Sequence, residues 1–468
     1  MSVVLHWFRK DIRLSDNPSL CYAAEKGDVL PVFIYDNVNM VKKEVGEASR
    51  VWLHYALQSL NRQLNGKLKV FIGNPKIIIP DLIKVTEATS VCWNRRYEPF
   101  GTDVDKNLKE VLEGEGTQVK TFKASLLLEP WEGLKDNGEP YRVFTPFYKK
   151  SYFNKDFGEP LKEPSELKLS DINNLGEIDI DSLNLLPENK WYESLVENWD
   201  ISENGAKEKL FKFLDNGVKD YKKGRNFPAK DNNSRLSPYL HFGQISPRQI
   251  WYSSRFYEMD ENIENFCVEI AWREFSNNLL YHFPELPHSN LQKKFDKFPW
   301  VRDDDLLRKW QKGMTGYPIV DAGMRELWQT GFMHNRVRMV VASFLVKNLL
   351  IDWRCGEEWF WDCLFDADLA NNCAGWQWVA GCGADAAPYF RVFNPVTQGE
   401  RFDENGEYTK KYIPELAKMP KKYLFKPWEA PSDILMQSGV ELGRDYPYPV
   451  VDVAKTRKKA LHAYDLIK

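Results

Sequence analysis

The first 125 residues alternate two hydrophobic rhythms. Short, nearly continuous apolar runs, VVLHWF (3–8), VLPVFIYD (29–36), LKVFIG (68–73), SVCWN (90–94) and QVKTF (118–122), read as buried strands. Helical signals fall between them. Asp16-Asn17-Pro18 supplies a start for SLCYAAEKG, and Arg50 to Leu64 places Val51, Leu53, Tyr55, Leu57 and Leu60 on a pattern adequate for an amphipathic helix. Strand alternating with helix implies a parallel sheet covered on both faces. Such sheets bind ligands at the carboxyl ends of their strands. No G-x-G-x-x-G follows any of these strands, and Gly114-Glu115-Gly116 precedes a strand and reads as a turn. The segment therefore offers no standard dinucleotide phosphate loop.

Residues 126–200 scatter Pro, Gly, Asn and Asp throughout and read as a long connector with short helices, holding the domain boundary. From about residue 200 the period is helical. Ala206–Leu214, Asn262–Leu280, Asp304–Lys312, Val320–Gln329 and Arg336–Leu350 are predicted helices, and strand signals are scarce. The predicted fold is an α/β N-terminal domain (1–125), a connector (126–200) and an all-α domain (201–468).

Composition sharpens this picture at a few points. The 468 residues exceed what one core usually organises. Net charge is −3, so a nucleic-acid partner would need a local basic patch rather than a basic chain. Lys222, Lys223 and Arg225 cluster after Tyr221, and six lysines lie between Lys410 and Lys426 against the single acid Glu415. The cysteines number seven, with no C-x-x-C, which argues against a disulfide framework or zinc site and fits reduced thiols in the cytoplasm. No signal peptide and no run of about 18 apolar residues is present, so no membrane span is expected. Ten of the 17 tryptophans fall between Trp251 and Trp378, all in the helical part.

One stretch concentrates the unusual residues: Asp366 to Phe390, DADLANNCAGWQWVAGCGADAAPYF. It combines two acids two apart, paired amides, two tryptophans two apart and a run of small residues. On a helix, neighbours two apart point roughly 200° away from each other, so Trp376 and Trp378 should meet different surroundings. A flat ligand and a tightly packed helical core both fit this composition. Asn232 to Pro238 reads equally as a phosphate cradle, with Arg235 set to neutralise a pyrophosphate, and as an ordinary helix cap. Glu269 and Trp272 are three apart and share a helix face, suited to a flat polar ligand or to a helix contact. Asn335 and Met339 share another face, with Arg338 beside them. Arg338 calls for a carboxylate, for which Asp366 and Asp368 are the candidates.

Taken together, HWFRKDIRLSDNPSL, SRLSPYLHFGQIS, EIAWREF, GYPIVDAGMRELWQTGFMHNRVRM and DADLANNCAGWQWVAGCGADAAPYFRVFNPVTQGERFD resemble the photolyase/cryptochrome family, in the family's order and over nearly the whole chain. The type most similar by this reading is the class I cyclobutane pyrimidine dimer photolyase. The resemblance implies a Rossmann-like first domain and a helical domain holding FAD in a U shape. It implies FAD contacts at Tyr221, Asn233, Ser234, Arg235, Leu236, Ser237, Phe266, Arg338, Asp366, Ala367, Asp368 and Asn372, the last facing flavin N5. It assigns catalytic roles to Glu269, Asn372 and Met339. It assigns damaged DNA to Arg225, Glu269, Trp272, Arg273, Asn335, Arg336, Met339, Trp378 and Gln398. Trp376, Trp353 and Trp300 would pass electrons to the flavin.

The implied activity is light-dependent DNA repair: reduced FAD excited by blue light donates an electron to a flipped-out pyrimidine dimer and splits it. The alternative is a blue-light receptor without repair. By the resemblance, Asn335, Met339, Glu269 and Asn372 imply dimer repair rather than the (6-4) or cryptochrome subtypes. A second antenna chromophore, a folate, deazaflavin or flavin, is implied near Arg50 or Glu98. No metal and no obligate protein partner is implied, and a monomer is expected.

Overall fold

The apolar runs of the first 125 residues become one sheet in the computed structural model, which describes residues 2–39, 45–389 and 391–468. Phe390, the end of the small-residue stretch, lies outside them. Five parallel strands, β1 (Val3–Phe8), β2 (Asp28–Tyr35), β3 (Lys69–Ile72), β4 (Ser90–Asn94) and β5 (Gln118–Phe122), run in the order β3-β2-β1-β4-β5. The central strand β1 pairs Trp7 with Val32 of β2 on one side and Leu5 with Val91 of β4 on the other. β1, β2 and β4 are buried on both faces, which is why they are apolar almost throughout, whereas the edge strand β5 exposes Gln118 and Lys120. Leu5, Trp7, Val32, Val91, Trp93 and Leu108 belong to one buried cluster.

The helix after β1, Pro18–Lys26, starts where Asp16-Asn17-Pro18 indicated: the Asn17 side chain accepts from Leu20 N at 3.1 Å and Pro18 takes the first turn. Glu47–Gln63 is the predicted amphipathic helix. Two further helices, Pro75–Thr86 and Pro99–Gly114, were not predicted: Pro80 interrupts the first, while the second buries Val104, Leu108 and Leu112 at a four-residue spacing that was available as a signal. Gly116 closes the turn into β5 with φ +86°, a conformation glycine adopts without strain.

The chain forms two compact units. Unit 1 holds residues 1–216 together with Ser234–Pro284 and Phe365–Ala370. Its connector carries the short helix Phe144–Ser151, and its longest helix is Glu261–His282. Buried carboxylates tie these pieces together. Glu274 accepts from Leu127 N at 2.8 Å, Leu128 N at 3.4 Å and Tyr152 Oη at 3.2 Å, fixing the connector to the long helix. Asp16 accepts from Ser246 Oγ at 2.5 Å and pairs with Arg248. Trp52 donates to Gln244 and packs between Tyr239 and Phe365.

Unit 2 holds Gly217–Asn233, Glu285–Leu364 and Asn371–Lys468, and its regular elements are helical. Helix Pro318–Thr330 lies close on Asn335–Ser343 because position 323 is glycine: a Cβ there would stand 2.4 Å from Val337. The predicted helix 336–350 is regular only to Ser343 and continues as a π-turn, Phe344–Asn348, before Leu350 turns it with φ +56°. All seven cysteines are free thiols. No helix among the described residues is long and apolar enough to cross a membrane.

Burial pushes the Glu274 carboxyl up to about 7, against the opposing pull of Arg273 and the two amides. An acid whose folded-state pKa is raised loses stability as pH climbs from its unfolded value of about 4.3 to its folded one. The Glu274→Gln variant escapes that penalty. Its melting temperature relative to the parent protein should therefore rise between pH 5 and pH 7.5. A difference that stays flat across that window would show that Glu274 remains ionised in the fold.

Candidate functional site

The small-residue stretch folds as the helix Leu369–Ala380, and its two tryptophans do meet different surroundings. Trp376 is 3% exposed. It packs edge-on against Phe360 at 4.9 Å and Trp310 at 6.1 Å. Its ring rests on Gly356, where a Cβ would come within 2.1 Å. Trp378 is half-buried on another side of the helix. Beside it the helix is open: Gly375 is exposed, with nothing within 4 Å of where its Cβ would stand, and Asn371, Asn372 and Ala374 are only half-buried. A flat group can approach this face closely. Asn372 is held at its edge, donating Nδ2 to the Glu357 carbonyl at 3.0 Å and to Glu357 Oε1 at 2.9 Å. Glu357 is 2% exposed, so the amide orientation is fixed from below.

Trp353 is fully buried and donates Nε1 to Asn290 Oδ1 at 2.9 Å. It stands one helical turn before Gly356, on the helix face that receives the Trp376 ring. Trp300 is half-buried against Phe298, 4.4 Å away. Helix Asn335–Ser343 presents Asn335 exposed and Met339 half-buried one turn on. Arg338 donates Nε to the Met333 carbonyl at 2.8 Å, and its guanidinium lies 5.4 Å from the Phe332 ring.

A cationic group in unit 2 is the clearest electrostatic feature. Burial, and then repulsion from Arg225 and Arg401, lowers the pKa of Arg336. Its guanidinium sits over the Phe402 ring at 4.5 Å and donates to Asn226 Oδ1. Arg225 caps the buried Tyr221 ring at 5.5 Å. Gln398 lies one turn before Arg401 on Pro395–Phe402. Arg401 is absent from the residues singled out in the sequence, although its i, i+3 spacing from Gln398 in VTQGERF was the available signal. Like charges gathered around a half-buried arginine call for an anion.

Unit 1 holds Ser234 to Pro238 of the stretch read as a phosphate cradle or a helix cap. Arg235 adopts φ +52° and turns the chain into helix Ser237–Phe242, anchored by buried Leu236. Ser237 Oγ donates to Asp366 Oδ2 at 2.5 Å, and Asp368 N donates to the Asp366 carbonyl at 2.7 Å. Ser234–Ser237 thus meets Asp366–Asp368, with Ala367 buried between the acids. Asn233 and Tyr221 belong to unit 2. On Glu261–His282, Phe266 packs at 4.7 Å from Phe213, while Glu269 and Trp272 share one half-buried face. Trp272 has one ring face stacked on Phe144 at 3.7 Å and 9°. Arg273 is turned from that face, donating to the Ser125 carbonyl at 2.9 Å and to Glu274 at 3.2 Å.

At the sheet's switch point, between β1 and β4, a crevice of about 40 Å³ is ringed by ion pairs. Arg9 and Arg96 both hold Asp105, Lys10 holds Glu98, and Arg95 holds Glu129. Arg50 is engaged by Glu47 at 2.8 Å and by the Asn184 carbonyl at 2.5 Å. Among the described residues no group of three His, Cys, Asp or Glu could hold a metal ion.

Comparison with known proteins bears on the family of the chain. Residues 4–165 match the DNA photolyase family model and residues 266–466 that of the FAD binding domain of DNA photolyase. A deoxyribodipyrimidine photo-lyase of Agrobacterium fabrum is 47% identical over 99% of this chain and 98% of its own length. Cryptochrome-2 of Arabidopsis thaliana is 37% identical over 97% of this chain and 77% of its own. The crystal structure of a bacterial class III photolyase from Agrobacterium tumefaciens superposes with a TM-score of 0.96 at 46% identity, covering 100% of this chain and 98% of that one. An archaeal photolyase from Sulfolobus tokodaii, solved with two FAD molecules, gives 0.83 at 30% identity over 99% of this chain and 100% of that one. The expectation of a class I enzyme is not supported, because the solved structure that matches the whole chain at 46% identity is a class III photolyase. With its N-terminal α/β domain, its helical FAD-binding domain and 47% identity across its length, the chain belongs to the photolyase/cryptochrome family.

Proposed function

We propose that the protein is a light-dependent DNA repair enzyme, a deoxyribodipyrimidine photo-lyase of the class III type, acting on cyclobutane pyrimidine dimers. The observation that carries this reading is the group of Arg225, Arg336 and Arg401 beside Gln398. Its mutual repulsion is relieved by a polyanion, and phosphate contacts position a duplex without reading its sequence. The homology to enzymes of that name supplies the reaction class.

The residues facing FAD are assigned as the resemblance placed them. Asn233 to Ser237 and Tyr221 go to the phosphates, Phe266, Arg338 and Asp366 to Asp368 to the body of the cofactor, and Asn372 to the ring edge. The open face of helix Leu369–Ala380 fits a flat ring system. FAD, when bound, supplies the light-driven electron. Glu357 fixes which end of the Asn372 amide points outward, so a carbonyl dipole is presented at a constant orientation. A dimer base-pairs and stacks poorly, which lowers the cost of flipping it out of the duplex. Trp272 offers one ring face, Phe144 holding the other, and Glu269 beside it hydrogen-bonds the pyrimidine edge and stabilises charge developing there. Asn335, Met339 and Trp378 are assigned to the same substrate, Met339 as an adaptable apolar contact. Arg273 positions Glu274 and the connector rather than reaching for a phosphate.

A second, light-harvesting chromophore belongs to this reading, supported by the archaeal relative with two FAD molecules. The switch-point crevice at Glu98 does not fit one as its side chains stand. It holds about 40 Å³, whereas ligand sites run to several hundred. A cytoplasmic location and a monomeric state complete the proposal.

Three measurements test it. The Glu269→Ala variant should keep FAD and lose repair yield per photon on irradiated oligothymidylate under blue light; loss of FAD would make Glu269 structural. Full absence of dimer reversal by the parent protein would favour a photoreceptor. Replacing Arg401 by alanine should weaken DNA binding at every sequence and reduce the salt slope of log K by about 1. An unchanged slope would remove Arg401 from the phosphate surface. Phenylalanine at position 353 keeps the bulk of Trp353 but removes the oxidisable indole. Light should then reduce oxidised FAD poorly, while pre-reduced protein repairs normally. Normal photoreduction would take Trp353 off the electron route.

A further inference from the structure

Unit 1 contains a cavity of about 460 Å³ that the repair chemistry leaves unused. It lies where the chain leaves β5, at Lys123 and Ala124, and enters the connector. Its apolar walls are aliphatic: Leu126, Leu127, Leu128 and Leu134, with Phe157 the one aromatic. The volume is in the range of small-molecule sites.

The polar side of the cavity carries excess positive charge. Four cations line it, Lys123, Lys150, Lys155 and Arg248, against two acids, Glu132 and Asp156. Both acids already have partners: Glu132 faces Lys123 at 3.5 Å and Asp156 faces Arg255 at 3.4 Å. Arg248 is held by buried Asp16. Among the described residues Lys150 pairs with Asp136, whose side chain is 98% exposed and easily displaced. Lys155 makes no ion pair among the described residues. Ser151 is a buried residue lining the cavity, and its hydroxyl has no hydrogen-bond partner among the described residues. Two ammonium groups and a hydroxyl therefore share the lining of this hollow with the leucines.

We propose that this cavity binds an aliphatic organic anion, a medium-chain carboxylate, with its head at Lys150, Ser151 and Lys155 and its chain along the leucines. A carboxylate accepts from both ammonium groups and the hydroxyl, and an unbranched chain fills a leucine-lined slot without needing ring partners. Occupancy would also brace the connector, because Leu127 and Leu128, whose amides hold Glu274, line the cavity. The long helix bearing Glu269 and Trp272 is thereby linked to the occupied cavity within the same unit.

The test uses the full-length, FAD-loaded protein and sodium decanoate, titrated by calorimetry below its micelle concentration, with 1-decanol as the uncharged control. One site per chain is expected, with decanol roughly tenfold weaker, the loss of a charge-assisted contact. Lys155→Glu, at an exposed position, should weaken decanoate at least tenfold and abolish the rise in melting temperature that decanoate gives the parent protein. Leu134→Trp, which fills the slot, should remove binding while FAD content stays the same. Equal decanoate affinity in both variants, equal affinity for decanol, or several weak sites per chain would each overturn the proposal.

Discussion

A carboxylate removed from water must recover its hydrogen bonds from the protein, and that requirement fixes the segments on which this structure depends. Glu274 draws in two connector amides and a tyrosine hydroxyl. Glu357 orients Asn372. Asp366 takes the Ser237 hydroxyl, and Asp16 takes Ser246 and Arg248. In each case the acid lies on one element and its donors on a segment distant in sequence. A missing partner would leave a buried charge unsatisfied, so these contacts specify position as well as contribute stability.

The charge distribution shows why bulk composition is a poor guide to the partner. The chain carries a net −3. Yet Arg225, Arg336 and Arg401 come from segments up to 176 residues apart and gather, with Gln398 one helical turn before Arg401. Arg336 is stacked on Phe402 and half-desolvated, so the repulsion from its neighbours is screened less than it would be at the open surface. Other cations pair with acids close in sequence, such as Lys309 with Asp305 and Lys426 with Glu429, and contribute little field beyond their own surroundings.

The aromatic residues divide in a similar way. Trp376 and Trp353 are sealed in the helical core, where glycine at 356 gives the Trp376 ring its place. Trp272 and Trp378 remain half-buried, each with surface to offer. Burial of the first pair protects an indole from water and fixes its distance to its neighbours. Partial exposure of the second pair leaves apolar area that a stacked base can still cover.

The sequence by itself determined the elements and their kinds. Continuous apolar runs marked β1, β2 and β4 because both faces of the sheet are buried there, and Asn17 before Pro18 marked a helix start because the cap chemistry is local. The two-residue spacing of Trp376 and Trp378 was enough to separate their environments, since helix geometry alone sets that angle. The family was legible because long motifs stand in a fixed order, although its class was not. Helix Pro75–Thr86 was hidden because Pro80 mimics a break, and the 336–350 helix stopped being regular at Ser343 where tertiary packing admits a π-turn. Only the tertiary structure decided that Trp272 gives one ring face to Phe144, that Arg273 serves Glu274, that Arg401 joins the cationic group and that the crevice at Glu98 is closed by ion pairs. Each of these depends on a partner far away in the chain, for Arg273 the Ser125 carbonyl that holds it beside its neighbour Glu274. Local periodicity reports which side of an element is buried, and only the folded chain decides what lies against it.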